Sequence, residues 1–91
     1  MNASAKVRVH GIVQGVSFRS FTKRKAEQLG LRGYVKNLGD GTVETFVEGN
    51  RDRIERLIEI LHDGPEKATV HRVDTEWSPF TGLFKDFSII Y

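Results

Sequence analysis

Ile54, Leu57, Ile58 and Leu61 stand at i, i+3, i+4 and i+7, with mostly charged residues between them. At 3.6 residues per turn this spacing draws one apolar stripe down a helix and leaves its other side polar. Such a helix holds its shape in water only when the stripe is covered. The chain has 91 residues and no cysteine, so neither disulfides nor a thiolate zinc site can staple a small core. Apolar packing must close it. Asn50 is placed to cap this helix, and Gly64-Pro65 to end it.

The cover comes from segments that alternate. Lys6 to Val13 reads as a first strand with Val7, Val9 and Val13 on one face, and the small, polar residues Met1 to Ala5 read as a frayed end. Phe18, Phe21, Ala26 and Leu29 form a second helical stripe, which Ser17 is placed to cap and Gly30 to stop. Leu31–Leu38 and Thr42–Glu48 are strands joined at Gly39-Asp40-Gly41, a hairpin. Thr69–Trp77 is a fourth strand, with Thr69, His71, Val73, Thr75 and Trp77 on one face. Phe87, Ile89 and Tyr91 alternate in a short last strand. This order predicts an α+β, ferredoxin-like split βαβ sandwich: βαββαβ plus a short C-terminal strand, with two helices on one face of an antiparallel sheet. Residues 1–91 are expected to form a single domain.

Net charge is 14 − 12 = +2, too mild to argue for nucleic acid by itself. No apolar run approaches the roughly 18 residues of a membrane span, and no secretory leader is evident. The expectation is a soluble, cytoplasmic protein with no membrane partner. Charged residues make up 29%, with one methionine, a balance that leans toward a heat-adapted source.

The run Val9-His10-Gly11-Ile12-Val13-Gln14-Gly15-Val16-Ser17-Phe18-Arg19 begins as a strand and ends where the first helical stripe starts. At a strand-to-helix turn the first N–H groups of the helix lack internal partners and, with the helix dipole, can hold an anion. Gly15 lets the backbone bend, and Arg19 adds a planar fork that matches two phosphate oxygens. Gln14, Gly15, Val16, Ser17, Phe18 and Arg19 are therefore a candidate phosphate-binding loop. The same residues are also compatible with an ordinary turn followed by a solvated arginine. Lys23-Arg24-Lys25 reads as a solvated face. The loop is neither a Walker loop nor a dinucleotide fingerprint, for no Gly-Lys-Ser/Thr and no G-x-G-x-x-G occurs in it.

The histidines His10, His62 and His71 have no metal-ligand spacing with one another, so no metal site is expected. His10, on a strand, reads as structural. No acid–base pair lies near the loop. Hydrolysis of an alkyl ester would need an acid for its poor leaving group. An acyl phosphate expels a carboxylate that needs no proton, and phosphoryl transfer is mainly positioning and charge stabilisation.

The sequence resembles the acylphosphatase family. Residues Val9 to Arg19 match its first signature throughout. Gly33-Tyr34-Val35-Lys36-Asn37, followed by Gly41, Val43 and Gly49, match the second. The resemblance implies hydrolysis of acyl phosphates to a carboxylate and inorganic phosphate without a cofactor. It implies that Arg19 and the N–H groups of Gly15 to Arg19 bind the phosphoryl oxygens, and that Asn37 holds the attacking water. In a ferredoxin-like sheet the third strand lies between the first and second, so these two regions can approach across it. Thr42, at the start of the third strand, can support Asn37 through a hydrogen bond or be an ordinary strand threonine.

Two other readings compete. Arg32-Gly33-Tyr34 matches the start of a ribonucleoprotein motif, but Val35, Lys36 and Asn37 break the match. Acylphosphatase-like modules also occur within larger proteins that handle carbamoyl phosphate. A standalone, monomeric enzyme acting on a small acyl phosphate is the expectation.

Overall fold

Alternation buries one side of the first strand beneath the second helix. In the computed structural model, which describes residues 1–91, β1 (Asn2–Ile12) turns Ala3, Ala5, Val7 and Val9 inward. Then follow α1 (Phe18–Gln28), β2 (Arg32–Asn37), β3 (Val43–Asn50), α2 (Arg51–Asp63), β4 (Thr69–Ser78) and β5 (Phe87–Ile90). The strands form one sheet in the order β4-β1-β3-β2-β5. β3 lies between β1 and β2, as the ferredoxin-like topology requires. The four long-paired strands are antiparallel, and β5 joins β2 in parallel, which makes the sheet mixed.

Both helices pack on one face, α2 over β4, β1 and β3, and α1 over β2 and β5. Ile54, Leu57 and Leu61 are fully buried there with Val7, Val9, Val35, Val43, Val47 and Phe18 in one cluster. Ile58 and Phe21 pack at its margin. α2 starts as its sequence requires: the Asn50 side chain accepts from the N–H groups of Asp52 and Arg53 at 3.0 and 3.3 Å. α1 does not. Ser17 holds the cap position in a left-handed conformation (φ 64°), and its side chain makes no capping bond. The far end of α1 closes with Gly30 N–H donating to Glu27 O at 3.0 Å and Leu31 N–H to Ala26 O at 2.9 Å. This is the paired bonding of a Schellman turn.

Two strand expectations are corrected. Residues 2–5 are not frayed: Ala3 to Ala5 are buried, paired with Val47–Gly49 on one side, and Ser4 and Ala5 pair with Ser78 and Trp77 on the other. Small residues carry no local strand signal, and the two neighbouring strands supply the order instead. In β4, the register shifts opposite His10 and Gly11. The extra residue of this bulge turns His71 to solvent and brings Val70 against the core in its place. Gly11 is suited to the bulge, because a Cβ there would collide with the Thr69 carbonyl.

On the face away from the helices, the rings of Tyr34, Phe46 and Phe84 form a cluster with centroids 5.5–6.1 Å apart. The segment between β4 and β5 is tied down there by Glu48, which is 1% exposed. Its Oε2 accepts from the hydroxyls of Ser4 and Thr81, each at 2.8 Å, and from the Thr81 N–H at 3.1 Å. Burial pushes the Glu48 carboxyl up, but the hydrogen bonds from Ser4 and Thr81 together outweigh it and hold it below the usual glutamate value.

Asn50→Ala is expected to cost about 1 kcal/mol of unfolding free energy and Ser17→Ala less than about 0.5 kcal/mol, measured by chemical denaturation. An equal loss at both positions would show that Ser17 caps after all. The depressed Glu48 carboxyl stabilises the fold fully above its unfolded value, and this contribution drains as pH falls through the lower folded value. Melting temperatures recorded downward from neutral pH should therefore fall less steeply below about pH 4.5 in Glu48→Gln than in the parent chain.

Candidate active site

Beyond Ile12 the chain leaves the sheet and reaches α1 through residues 13–17. Gly15 (φ 74°) and Ser17 (φ 64°) are both left-handed, with Val16 between them. Alternation of this kind turns successive N–H groups toward one side and makes a concave donor surface. A left-handed residue with a Cβ costs roughly 1–2 kcal/mol, which Gly15 avoids and Ser17 does not. The N–H groups of Gly15, Val16, Ser17, Phe18 and Arg19 find no acceptor within the chain. They stand at the positive end of the α1 dipole.

Gly15, Ser17, Phe18 and Arg19 border a cavity of about 330 Å³. Val13, Gly15, Ser17, Phe18, Arg19 and Ser20 line it from the loop and the first turn of α1, and Asn37 lines it from the end of β2. The structure thus brings Arg19 and Asn37, 18 positions apart (37 − 19), into one pocket wall. Asn37 has the parity of Val35, so it belongs to the helix-facing side of the sheet. Its Oδ1 is shielded from solvent and has no hydrogen-bond partner in the chain.

Arg19 makes no ion pair within the chain. Its guanidinium lies 4.7 Å from the centroid of the Tyr91 ring, a cation–π contact that orients the group without occupying its N–H donors. Ile89 and Tyr91 complete the wall from β5 and the residue beyond it. The sequence pattern places both on a short strand, but only the parallel docking of β5 on β2 brings that strand to the pocket. Val13 and Ser20 also line it, and no local pattern marks either as a site residue. No Asp, Glu, His or Lys side chain reaches the cavity wall.

Three expected residues take other places. Thr42 does not bond to Asn37: its hydroxyl and N–H both donate to Asp40 Oδ1, at 2.6 and 3.0 Å, and shape the hairpin turn. Those bonds, the hydroxyl's above all, lower the Asp40 carboxyl below its usual value. Gln14 turns its side chain away from the cavity wall. Its Nε2 donates to Leu38 O at 2.8 Å and to Thr42 O at 2.9 Å. Val16 packs against the core instead of lining the pocket. His10, beyond the loop, bonds Asp74 Oδ2 through Nε2 at 2.9 Å on the outer surface. Lys23 pairs with Glu27 at 3.8 Å on the exposed side of α1, in keeping with a solvated run.

A pocket of unpaired main-chain donors, one guanidinium and one carboxamide can bind a tetrahedral anion and hold a water, and it offers no group of its own for strong acid–base work. The family model described as Acylphosphatase matches residues 5–89. An acylphosphatase of Salinibacter ruber is 45% identical over 82 residues, which cover 90% of this chain and 86% of that one. The structure of an acylphosphatase from Coxiella burnetii superposes with a TM-score of 0.92 at 42% identity, covering 98% of this chain and 93% of that one. HypF of T. kodakarensis contains a region that superposes with a TM-score of 0.85 at 40% identity, covering 98% of this chain but 12% of its own. Sequence and fold agree along nearly the whole length, and the chain belongs to the acylphosphatase family.

Proposed function

We propose that the cavity between the 13–17 loop and the end of β2 hydrolyses acyl phosphates by direct attack of a water held by Asn37. The observation that carries this reading is the pairing of two unsatisfied sets of groups in one pocket. The unpaired N–H groups of Gly15, Ser17, Phe18 and Arg19 and the Arg19 fork lack acceptors on one side, and Asn37 Oδ1 lacks a donor on the other.

The phosphoryl group of the substrate sits against the loop amides, with two of its oxygens on the Arg19 guanidinium. These donors are fixed before substrate arrives, so they stabilise the charge that builds on the oxygens at the transition state without reorganising. Tyr91 holds Arg19 while leaving its donors to the substrate. A buried acceptor without a partner costs about 1–3 kcal/mol, and a water that donates to the Asn37 amide relieves that cost. The bond directs the water's free lone pair toward phosphorus.

In the reaction the water oxygen forms a new bond to phosphorus, and the bond from phosphorus to the acyl oxygen breaks. The carboxylate leaves with that electron pair and needs no proton. A carboxamide cannot strip the proton from water, so it passes to the phosphate being formed. Positioning and charge stabilisation carry the rate, as expected for phosphoryl transfer. The groups around the cavity are poor metal ligands, and we take the reaction to proceed without a metal. We also take the chain to act as a single-domain monomer in the cytoplasm, reading the phosphoryl group more than the acyl part.

The likeness to one region of HypF supports a second reading, a module that handles its ligand within a larger assembly. Steady turnover of benzoyl phosphate by the isolated chain would exclude an idle module. Removing one preorganised donor from such a site costs about 2.7–4 kcal/mol, or roughly 10²–10³ in rate. Arg19→Gln and Asn37→Ala are each expected to lose at least that much in kcat on benzoyl phosphate while keeping their circular dichroism spectra. Turnover near that of the parent chain in either variant overturns the mechanism. EDTA is expected to leave the rate unchanged, and loss restored by magnesium would point to metal-assisted hydrolysis.

A further inference from the structure

Arg19 and Asn37 serve one reaction from two segments that the sheet does not join. The β1–β3 ladder ends at Val9 opposite Val43, and the β2–β3 ladder ends at Asn37 opposite the same Val43. Past that rung, the loop of residues 13–17 and the hairpin turn of residues 38–42 leave the sheet separately. The turn closes on itself through Leu38 N–H to Thr42 O at 2.9 Å and Gly41 N–H to Leu38 O at 3.2 Å. Only two hydrogen bonds run from the loop to this turn, and both come from the Gln14 carboxamide.

We propose that Gln14 is a positioning residue that sets the reach between the phosphate-binding loop and the water held by Asn37. This rests on the roles assigned above to the loop and Asn37. The two N–H donors of one planar NH₂ group are spent on the two carbonyls at the neck of the turn, Leu38 O and Thr42 O. Leu38 follows Asn37 directly, so the clamp grips the chain one residue from the water-holding amide. Gly15, the first of the unpaired loop donors, follows Gln14 directly. One side chain thus links both halves of the site, each through a neighbouring residue, and touches neither substrate nor water itself. A carboxamide suits this role, because a carboxylate offers no donors and a lysine would bring its charge beside the phosphate.

Misplacement of reacting groups by about 1 Å can cost 10²-fold in rate with little change in binding. The clamp therefore governs kcat more than affinity for phosphate. Gln14→Met keeps the length of the side chain and removes both donors. With benzoyl phosphate as substrate, its kcat is expected to fall by roughly 10- to 100-fold, while the inhibition constant of inorganic phosphate stays within about threefold. In the Asn37→Ala background the same change is expected to lower the residual rate by less than about threefold, because the clamp acts through a water that Asn37 no longer holds.

A kcat within twofold of the parent chain overturns the clamp. So does a loss of similar size with and without Asn37, or a phosphate inhibition constant that rises in step with the lost rate. If Gln14→Met fails to fold, Gln14→Asn keeps both donors but falls one methylene short of the neck, and the same cycle is run with it. A parent-like rate in Asn37→Ala alone would sink the reading on which the inference rests. A parent-like rate in Gln14→Met alone sinks only the clamp.

Discussion

Val43 is paired on both sides, with Val9 in β1 and with Asn37 in β2. That shared rung is what lets residues from the first strand's exit and the second strand's end face one pocket. Antiparallel pairing fixes which ends meet, and strand alternation fixes which face they share. Because Asn37 has the parity of the buried Val35, it stands on the helix side, where α1 also begins. A slip of one residue in the β2–β3 ladder would turn it to the opposite face of the sheet.

The helical face of the sheet is closed by apolar packing, and the cavity lies at the edge of that packing. Phe18 shows the two roles meeting in one residue. Its side chain is 2% exposed within the core, while its N–H belongs to the row of unpaired loop donors. Anchoring the ring holds the start of α1 in place, so donors without partners can keep a defined direction. The left-handed Ser17 preserves that direction at some cost in backbone strain. The left-handed Ser17, the unpaired loop donors and the unpaired Asn37 Oδ1 gather at this one place. On the opposite sheet face, Glu48 and the Tyr34, Phe46 and Phe84 rings tie down the segment that leads into β5. Through β5, that face determines where Ile89 and Tyr91 stand.

Legibility in the sequence varies with the range of the forces involved. The α2 stripe, its Asn50 cap and the Gly39-Asp40-Gly41 turn depend on neighbours within a few residues, and each is readable from local pattern. The start of β1 is not, because Ala3, Ser4 and Ala5 become strand only through pairing with β3 and β4. His71 and Val70 exchange faces because a bulge is a property of two strands together. Thr42 and Gln14 flank the cavity without lining it, because each bonds to the hairpin turn. Thr42 finds an acceptor two residues away in Asp40, and Gln14 reaches across to the hairpin neck. Polar side chains choose among several reachable partners, and periodicity does not rank them.

From residue order alone came the element types, the ferredoxin-like arrangement, the loop from Gln14 to Arg19, and the family through its two signatures. These rest on repeating patterns and fixed spacings, which are written along the chain. Tertiary structure alone decided that Arg19 and Asn37 share a cavity wall, that Tyr91 lies over the guanidinium, and that Gln14 bridges the two halves. Each of those depends on a distance between residues far apart in sequence, and such distances exist only once the sheet has paired and the helices have packed on it.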